Sequence, residues 1–207
     1  MNIIIFGSTG TIGRHLINQA LDNGHRVTAF TRDISRIELQ HENLISVEGD
    51  VLKPFSVEQA IPGHDAVLVV LGAGRKGGVR STGTLNIIKA MHKHKIKRLI
   101  CQSSLGVGES RANLNFFWKH IMFGLLLRPA YADHELQEQY VRDSGLNWTI
   151  VRPGAFTDGA HTSNYRHGFA ADDRSLSLKV SRADVADFLL KQLSDLRYLY
   201  KSPGLSY

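Results

Sequence analysis

The chain has 207 residues, 43% hydrophobic and 21% charged, values that exclude a disordered segment, a collagen-like repeat and a disulfide scaffold. Twenty-five Lys and Arg against 19 Asp and Glu leave a net charge of +6. That balance suits anionic partners without choosing among phosphorylated cofactors, nucleic acid and acidic membrane surfaces. The single cysteine, Cys101, rules out an internal disulfide and fits a reducing compartment.

The length suits one domain spanning 1–207, large enough to bury roughly 70% of its unfolded surface. No basic stretch precedes the apolar Asn2–Phe6, which runs directly into glycine, so no signal peptide is expected. The longest apolar run, Ile121–Leu127, falls far short of the ~20 residues of a membrane helix. The expectation is a soluble, cytoplasmic protein without integral membrane contact.

Ile3–Phe6 is a continuous apolar run, as in a strand buried on both faces. Helical spacing of Ile12, Leu16, Ile17, Ala20 and Leu21 predicts a helix over 11–23, ended by Gly24. Val27–Thr31, Leu44–Val47 and Ala66–Leu71 read as the next strands. A helix over about 80–94 then leads to a strand at Arg98–Gln102. A helix over 130–144, a strand at Trp148–Arg152 and a helix from an N-cap at Ser181 to about Leu193 complete the series. Strand–helix alternation implies parallel strands joined by helical crossovers. The predicted class is α/β: a doubly wound Rossmann domain, its central sheet mostly parallel, with helices on both faces.

Between the first strand and the first helix lies Gly7-Ser-Thr-Gly10-Thr-Ile-Gly13. Glycines there allow a tight turn and close backbone approach. The unpaired N–H groups and dipole of the following helix suit a pyrophosphate, and Gly13 is expected to let the helix sit close to the sheet. The spacing is a GxxGxxG variant of the dinucleotide fingerprint, in the strand–turn–helix context the motif requires. At the end of the second strand, an acid would bind a ribose 2′-hydroxyl and an arginine a 2′-phosphate. Phe30-Thr-Arg-Asp33 followed by Arg36 places two guanidiniums where they can converge on a phosphate, so NADPH is favoured over NADH. Asp33 argues the other way, as a carboxylate one residue late or a surface partner for both arginines. Asp50 and Val51 follow the third strand, where an adenine would lie, although Asp50 can equally cap the next turn. Leu71-Gly72-Ala73-Gly74 closes the fourth strand with small residues that leave room for a cofactor.

With these residues the chain resembles the atypical short-chain dehydrogenase/reductases, and among them the biliverdin IX-beta reductase/flavin reductase (NADPH) group. The resemblance is carried by Ile5–Gly10, Thr31–Arg36, Gly49–Leu52, Asp65–Gly72, Asn86–Met91, Cys101–Ser104, Ser144–Leu146 and Val151–Pro153. Ser144–Gly154 and Ser181–Val185 are shared with NmrA-like relatives. The resemblance implies NADPH binding and hydride transfer to flavins, as substrates rather than tightly bound cofactors, or to linear tetrapyrroles. It matches Gly7, Thr9, Gly10, Thr11, Ile12, Arg32, Arg36, Asp50, Val51, Leu71 and Gly72 to cofactor-contacting positions. Ser103, Ser104, His134 and the loop Pro153-Gly154-Ala155-Phe156 fall around nicotinamide and substrate. Two departures stand out. The Tyr-x-x-x-Lys pair is missing: Tyr131 is followed at the fourth place by Glu135, and His134 takes the lysine's place. Ala155 stands where biliverdin IX-beta reductases carry a histidine.

Ser104, at the end of a strand, and His134, a proton relay titrating near neutral pH, are the candidate catalytic residues. Their bland alternatives are a strand terminus and a surface helix carrying Asp133 and Glu135. Asn115–Leu127 is apolar on nearly all sides. Burial inside the domain is its plain reading; a substrate lid or dimer contact is the alternative. His92 and His94 point apart on a helix and form no zinc pair, so no metal site is assigned. The lysines around them form no nucleic-acid motif. The expected partner is a small molecule, and the expected state a monomer or weak homodimer. The rival to a reductase is a non-catalytic NADP(H)-binding regulatory or assembly protein of NmrA type.

Overall fold

The computed structural model describes residues 1–74 and 77–207. At its centre is β1, Asn2–Phe6, whose Ile3, Ile4, Ile5 and Phe6 are fully buried. Side chains alternate across a strand, so β1 feeds two cores. Ile3 and Ile5 pack with Leu16, Ile17 and Ala20 of α1 (Thr11–Asp22) and with Val185, Phe188 and Leu189 of α5 (Arg182–Lys191). Ile4 and Phe6 pack on the other face with Val57 of α2 (Pro54–Ala60), Ile87 and Met91 of α3 (Val79–Lys93) and Val141 of α4 (Arg128–Arg142). Each fully buried Ile or Leu contributes roughly 1.5–3 kcal/mol, so the two-faced pattern of β1 dictates helices on both sides.

The remaining sheet strands are β2 (Arg26–Thr31), β3 (Leu44–Glu48), β4 (Ala66–Val69), β5 (Arg98–Gln102) and β6 (Asn147–Pro153). Beyond them lie β7 (Ala155–Thr157), β8 (Arg166–His167), β9 (Lys179–Ser181) and β10 (Gly204–Ser206). The main sheet runs β3-β2-β1-β4-β5-β6-β10-β8, all parallel except the β10–β8 pair, and β7 and β9 form a separate parallel pair. The first six strands follow the order of the doubly wound dinucleotide-binding fold, with its switch point between β1 and β4. The predicted strands and helices up to β6 fall on these elements. At Ser181 the hydroxyl accepts from the Asp184 N–H at 3.0 Å, the predicted N-cap. Four short strands and α2 carry no periodic signal and were not anticipated.

Behind the sheet edge, Arg152 of β6 is fully buried and all three of its guanidinium nitrogens are engaged. Nε and Nη2 donate to the two Glu138 carboxylate oxygens at 2.9 and 2.7 Å, and Nη1 donates to Glu109 at 2.7 Å. Arg142 also donates to Glu138, at 2.5 Å. This cluster pins α4 to β6.

Candidate functional site

The turn after β1 is built by close backbone approach. Gly7 has φ +92°, and a Cβ there would run into the Val70 carbonyl just beyond β4. At Gly13 a Cβ would collide with the carbonyl oxygens of Gly7 and Ser8. Gly13 therefore lets α1 approach the turn's own backbone, rather than the sheet as the motif suggests. Gly10 is the N-cap of α1 without side-chain capping, and its carbonyl accepts the Arg14 N–H at 3.1 Å. The first N–H groups of a helix lack intrahelical partners, and here they face the cleft at the carboxyl ends of the strands.

Three compartments run along that edge. The first, about 270 Å³, is bounded by Gly7, Thr9, Gly10, Arg32, Arg36, Asp50, Val51, Leu71, Gly72 and neighbours. It gathers the residues predicted for turn, phosphate and adenine. Asp33 does not pair with either arginine; its carboxylate accepts from the Ser35 N–H at 3.0 Å and hydroxyl at 2.6 Å, closing the short turn that carries Arg36. Asp50 uses one oxygen to cap the Leu52 N–H at 3.0 Å, as in its bland reading, and still lines the cleft.

The second, about 160 Å³, shares Gly10, Leu71 and Gly72 with the first and adds Thr11, Ile12, Arg80, Gln102, Ser103, Ser104, His134 and Phe156. The third, about 140 Å³, shares Ser104 and Phe156 with the second. Its walls are apolar: Leu105, Leu114, Trp118, Phe123, Leu127, Pro153, Gly154, Ala155 and Leu178. Three of the four residues of the Pro153–Phe156 loop thus line only the outer chamber, and Phe156 alone of the four reaches the inner one. Ala73 lines none of the three. Larger hollows of about 370 Å³ exist. The one bounded by Asn2, Arg26 and His64 lies at the amino ends of the strands, the opposite end from ligand sites in open α/β sheets.

His134 corrects its sequence reading. It lines the inner compartment, and burial, reinforced by the nearby Arg80 guanidinium, pushes its pKa down to about 4. The ring is therefore neutral at pH 7, paired with Gln137 at 3.3 Å, and no proton relay titrates near neutrality. In the unfolded chain the imidazole protonates near 6.5. Its stabilising contribution is present in full above that pH and is lost as pH falls toward 4. At pH 5 the wild type should have lost about 2 kcal/mol to this group. Melting curves at pH 7 and pH 5 should show a smaller acid loss for His134→Gln; equal losses would refute the assignment.

Asp133 is not a surface residue: it is 4% exposed, and its oxygens accept from the backbone N–H groups of Arg80 and Ser81 and the Ser81 hydroxyl. Tyr131 donates to the Gly106 carbonyl at 3.1 Å and stacks on Phe123, with centroids 5.4 Å apart. It lines none of the three compartments.

The apolar stretch is not buried as its plain reading expects. Phe117–Leu126 is a π-helix that turns Trp118 and Phe123 into the outer chamber and leaves Phe117 53% and Leu125 71% exposed, with Phe116 just before it also exposed. A helix apolar all round can cover only one face when it lies on the surface.

Arg80 is the residue that sequence reasoning missed. Its pairing with Asp133 spans 53 residues, a separation with no sequence signal. The structure also brings His161, Asp184 and Asp187 together, their donor atoms within 4.8 Å, a group no spacing revealed. The Asp184 oxygens are taken up by Thr162, Ser163 and Tyr207, and Asp187 by Tyr165 and Lys191.

A family described as NAD(P)H-binding matches residues 7–196, spanning the turn, the cleft and all three compartments. The chain belongs to that NAD(P)H-binding family. Among curated relatives, the photosystem II assembly factor Ycf39 of Synechocystis is 31% identical over 165 residues, covering 77% of this chain and 46% of that protein. The chain spans between 34% and 61% of the length of three of its curated relatives. A short-chain dehydrogenase/reductase from Veillonella parvula, solved with NADP, superposes with a TM-score of 0.85 at 22% identity, covering all of this chain and 94% of that one. The anaerobilin reductase ChuY from Escherichia coli O157:H7 superposes with a TM-score of 0.82 at 22% identity, covering 99% and 96%. These two likenesses are of fold. Among the described residues, no helix is long and apolar enough to cross a membrane.

The residues present fit a dinucleotide. A Cβ on Gly72 would meet nothing within 4 Å, so the cleft floor is open where a side chain would fill it. Two buried polar atoms of the inner compartment, Arg80 Nη1 and Ser103 Oγ, have no hydrogen-bond partner among the described residues.

Proposed function

We propose that the protein is an NADPH-dependent reductase of flat conjugated acceptors: flavins such as FMN and FAD taken as substrates, and biliverdin-type tetrapyrroles. The observation that carries this reading is the run of three adjoining compartments, from a pair of arginines at one end to an apolar chamber at the other. A bound cofactor supplies the hydride. Arg32 and Arg36 hold the 2′-phosphate, and the backbone from Gly7 to Ile12 holds the pyrophosphate. Asp50 and Val51 edge the adenine, while Leu71, Gly72 and Ser103 flank the nicotinamide half. Ser104, on the wall between inner and outer compartments, orients the nicotinamide or hydrogen-bonds the acceptor; its own bond to the Leu105 carbonyl is a long 3.3 Å. Trp118, Phe123, Pro153 and Phe156 exclude water from the acceptor face, the π-helix serving as a lid.

The acid–base inventory supports this substrate class. Reduction of a simple carbonyl needs a proton donor for the alkoxide. Here Tyr131 is turned away, His134 is neutral and Ala155 offers no proton. An acceptor whose ring system spreads the incoming electron pair can collect its proton from solvent, which fits a site with few acids. The fold likeness to an anaerobilin reductase agrees with a tetrapyrrole among the acceptors.

A second reading, an NADP(H)-binding assembly or regulatory protein, is favoured by the relationship to Ycf39 and by the exposed face of Phe116, Phe117, Leu125 and Leu126. The deciding assay is NADPH oxidation with and without FMN, beside an NADH control. Saturable, acceptor-dependent turnover preferring NADPH is expected; tight NADPH binding without turnover on flavins or biliverdin would move the assignment to the second reading. In the same assay, Ser104→Ala should lower kcat about tenfold or more with NADPH affinity barely changed. Unchanged turnover would return Ser104 to a strand terminus.

A further inference from the structure

Two buried arginines of this chain are used very differently. Arg152 spends every guanidinium nitrogen on carboxylates. Arg80 is almost as buried, at 8% exposed, yet its side chain makes one hydrogen bond among the described residues, Nη2 to the Gly74 carbonyl at 3.3 Å. Its Nη1 is ion-paired with Asp133 at 3.6 Å, too long for a hydrogen bond, and has no hydrogen-bond partner among the described residues. The hydrogen-bonding capacity of Asp133 is met by two backbone N–H groups and a hydroxyl, so its tie to the guanidinium is one of charge alone. A buried donor without a partner costs about 1–3 kcal/mol, so one retained at the wall of a cavity calls for a ligand.

Across the same compartment Ser103 is 1% exposed and its Oγ is also unpartnered among the described residues. The start of α1, Thr11 and Ile12, adds further donors to that wall. Among the described residues that line the compartment, Arg80 is the one permanently charged cation. The wall is therefore rich in donors and carries a guanidinium with hydrogen-bonding capacity to spare, which is the chemistry of an oxyanion site.

We propose that Arg80 and Ser103 form a subsite for an oxyanion at the inner end of the cleft. The oxyanion is either the phosphate on the nicotinamide half of the cofactor or an anionic group of the acceptor. The inference rests on the reductase reading only for the second source. Arg80 is then a binding residue that supplies the positive charge for that oxyanion.

Calorimetric titration of the full chain tests it. Arg80→Gln should weaken NADPH about tenfold to 100-fold while 2′,5′-ADP, which carries only the adenosine half, stays within about twofold. Arg80→Lys should recover part of the loss, and Ser103→Ala should lower NADPH affinity a few-fold with the same ligand selectivity. Nicotinamide mononucleotide, and FMN beside lumiflavin, which lacks the phosphate, separate the sources. Loss on the mononucleotide assigns the cofactor phosphate; loss on FMN with lumiflavin unchanged assigns the acceptor. If Arg80→Gln fails to fold, Arg80→Lys and Ser103→Ala carry the test, because neither removes a bond Asp133 depends on. Unaltered binding of every ligand in those variants, or equal loss of NADPH and 2′,5′-ADP, would overturn the subsite. Failure of the reductase reading shows separately, as wild-type protein that binds NADPH and oxidises none on flavin.

Discussion

Replacing Arg32 and Arg36 together with alanine is expected to weaken NADPH by about 100-fold while NADH shifts by less than about threefold. Each guanidinium offers charge-assisted hydrogen bonds to a phosphate, worth about 1.5–3 kcal/mol each. Both side chains are exposed at the rim of the cleft. Solvent screening therefore argues for the lower end, about 3 kcal/mol for the pair. Raising the salt concentration should narrow the NADPH–NADH gap in the wild type and leave the double variant unmoved. Titration of both cofactors against both proteins reads it directly, and equal losses for NADPH and NADH would remove the arginines from the 2′-phosphate. Asp33 serves the pair structurally, because its carboxylate bonds Ser35 and holds the turn that carries Arg36, though its charge also sits in the field of that guanidinium.

Glu138→Ala should be the most damaging single change outside the cleft. It strips the fully buried Arg152 of two hydrogen bonds and its buried counter-charge, leaving the solvent-facing Glu109 to compensate. Breaking one partner of a buried pair costs about 3–5 kcal/mol, a large fraction of the ~5–15 kcal/mol that holds a protein folded. For a chain of this length that is a fall in Tm of roughly 6–20 °C. Removing both charges at once, as in Glu138→Leu with Arg152→Met, should restore much of the loss, since the desolvation cost disappears with the pair. A double variant no more stable than Glu138→Ala would show that the site depends on the ion pair itself.

What the sequence disclosed follows the reach of its physical signals. The continuous apolar Ile3–Phe6, the glycine turn and the periodic helix after it are local patterns, and each lies in the structure where its spacing indicated. The same holds for Arg32, Arg36, Asp50 and Val51, which follow strands whose ends fix them in the cleft. Three-residue strands such as β7, β9 and β10 are too short to carry a period. Pairings across the fold left no trace: Arg80 with Asp133, Arg152 with Glu138, and the neutral state of His134, which comes from burial and from a cation 54 positions earlier in the chain. The apolar stretch was misread for a related reason. Hydrophobicity says that a segment avoids water, but not that half of it walls a chamber while the other half faces outward.

The order of the compartments along the carboxyl ends of the strands also bears on how electrons would move in the proposed reductase. Among the described residues, the apolar chamber meets the arginine-rimmed compartment only through the inner one, by way of Ser104 and Phe156 on one side and Gly10, Leu71 and Gly72 on the other. If the protein is the reductase proposed above, donor and acceptor would occupy separate ground and have to be present together. The one thiol, Cys101, is sealed in the core, its ionisation suppressed by burial, so it offers no place to hold reducing equivalents between visits. On the proposed reading such a protein would work as a meeting place, each turnover a single encounter of two guests held end to end.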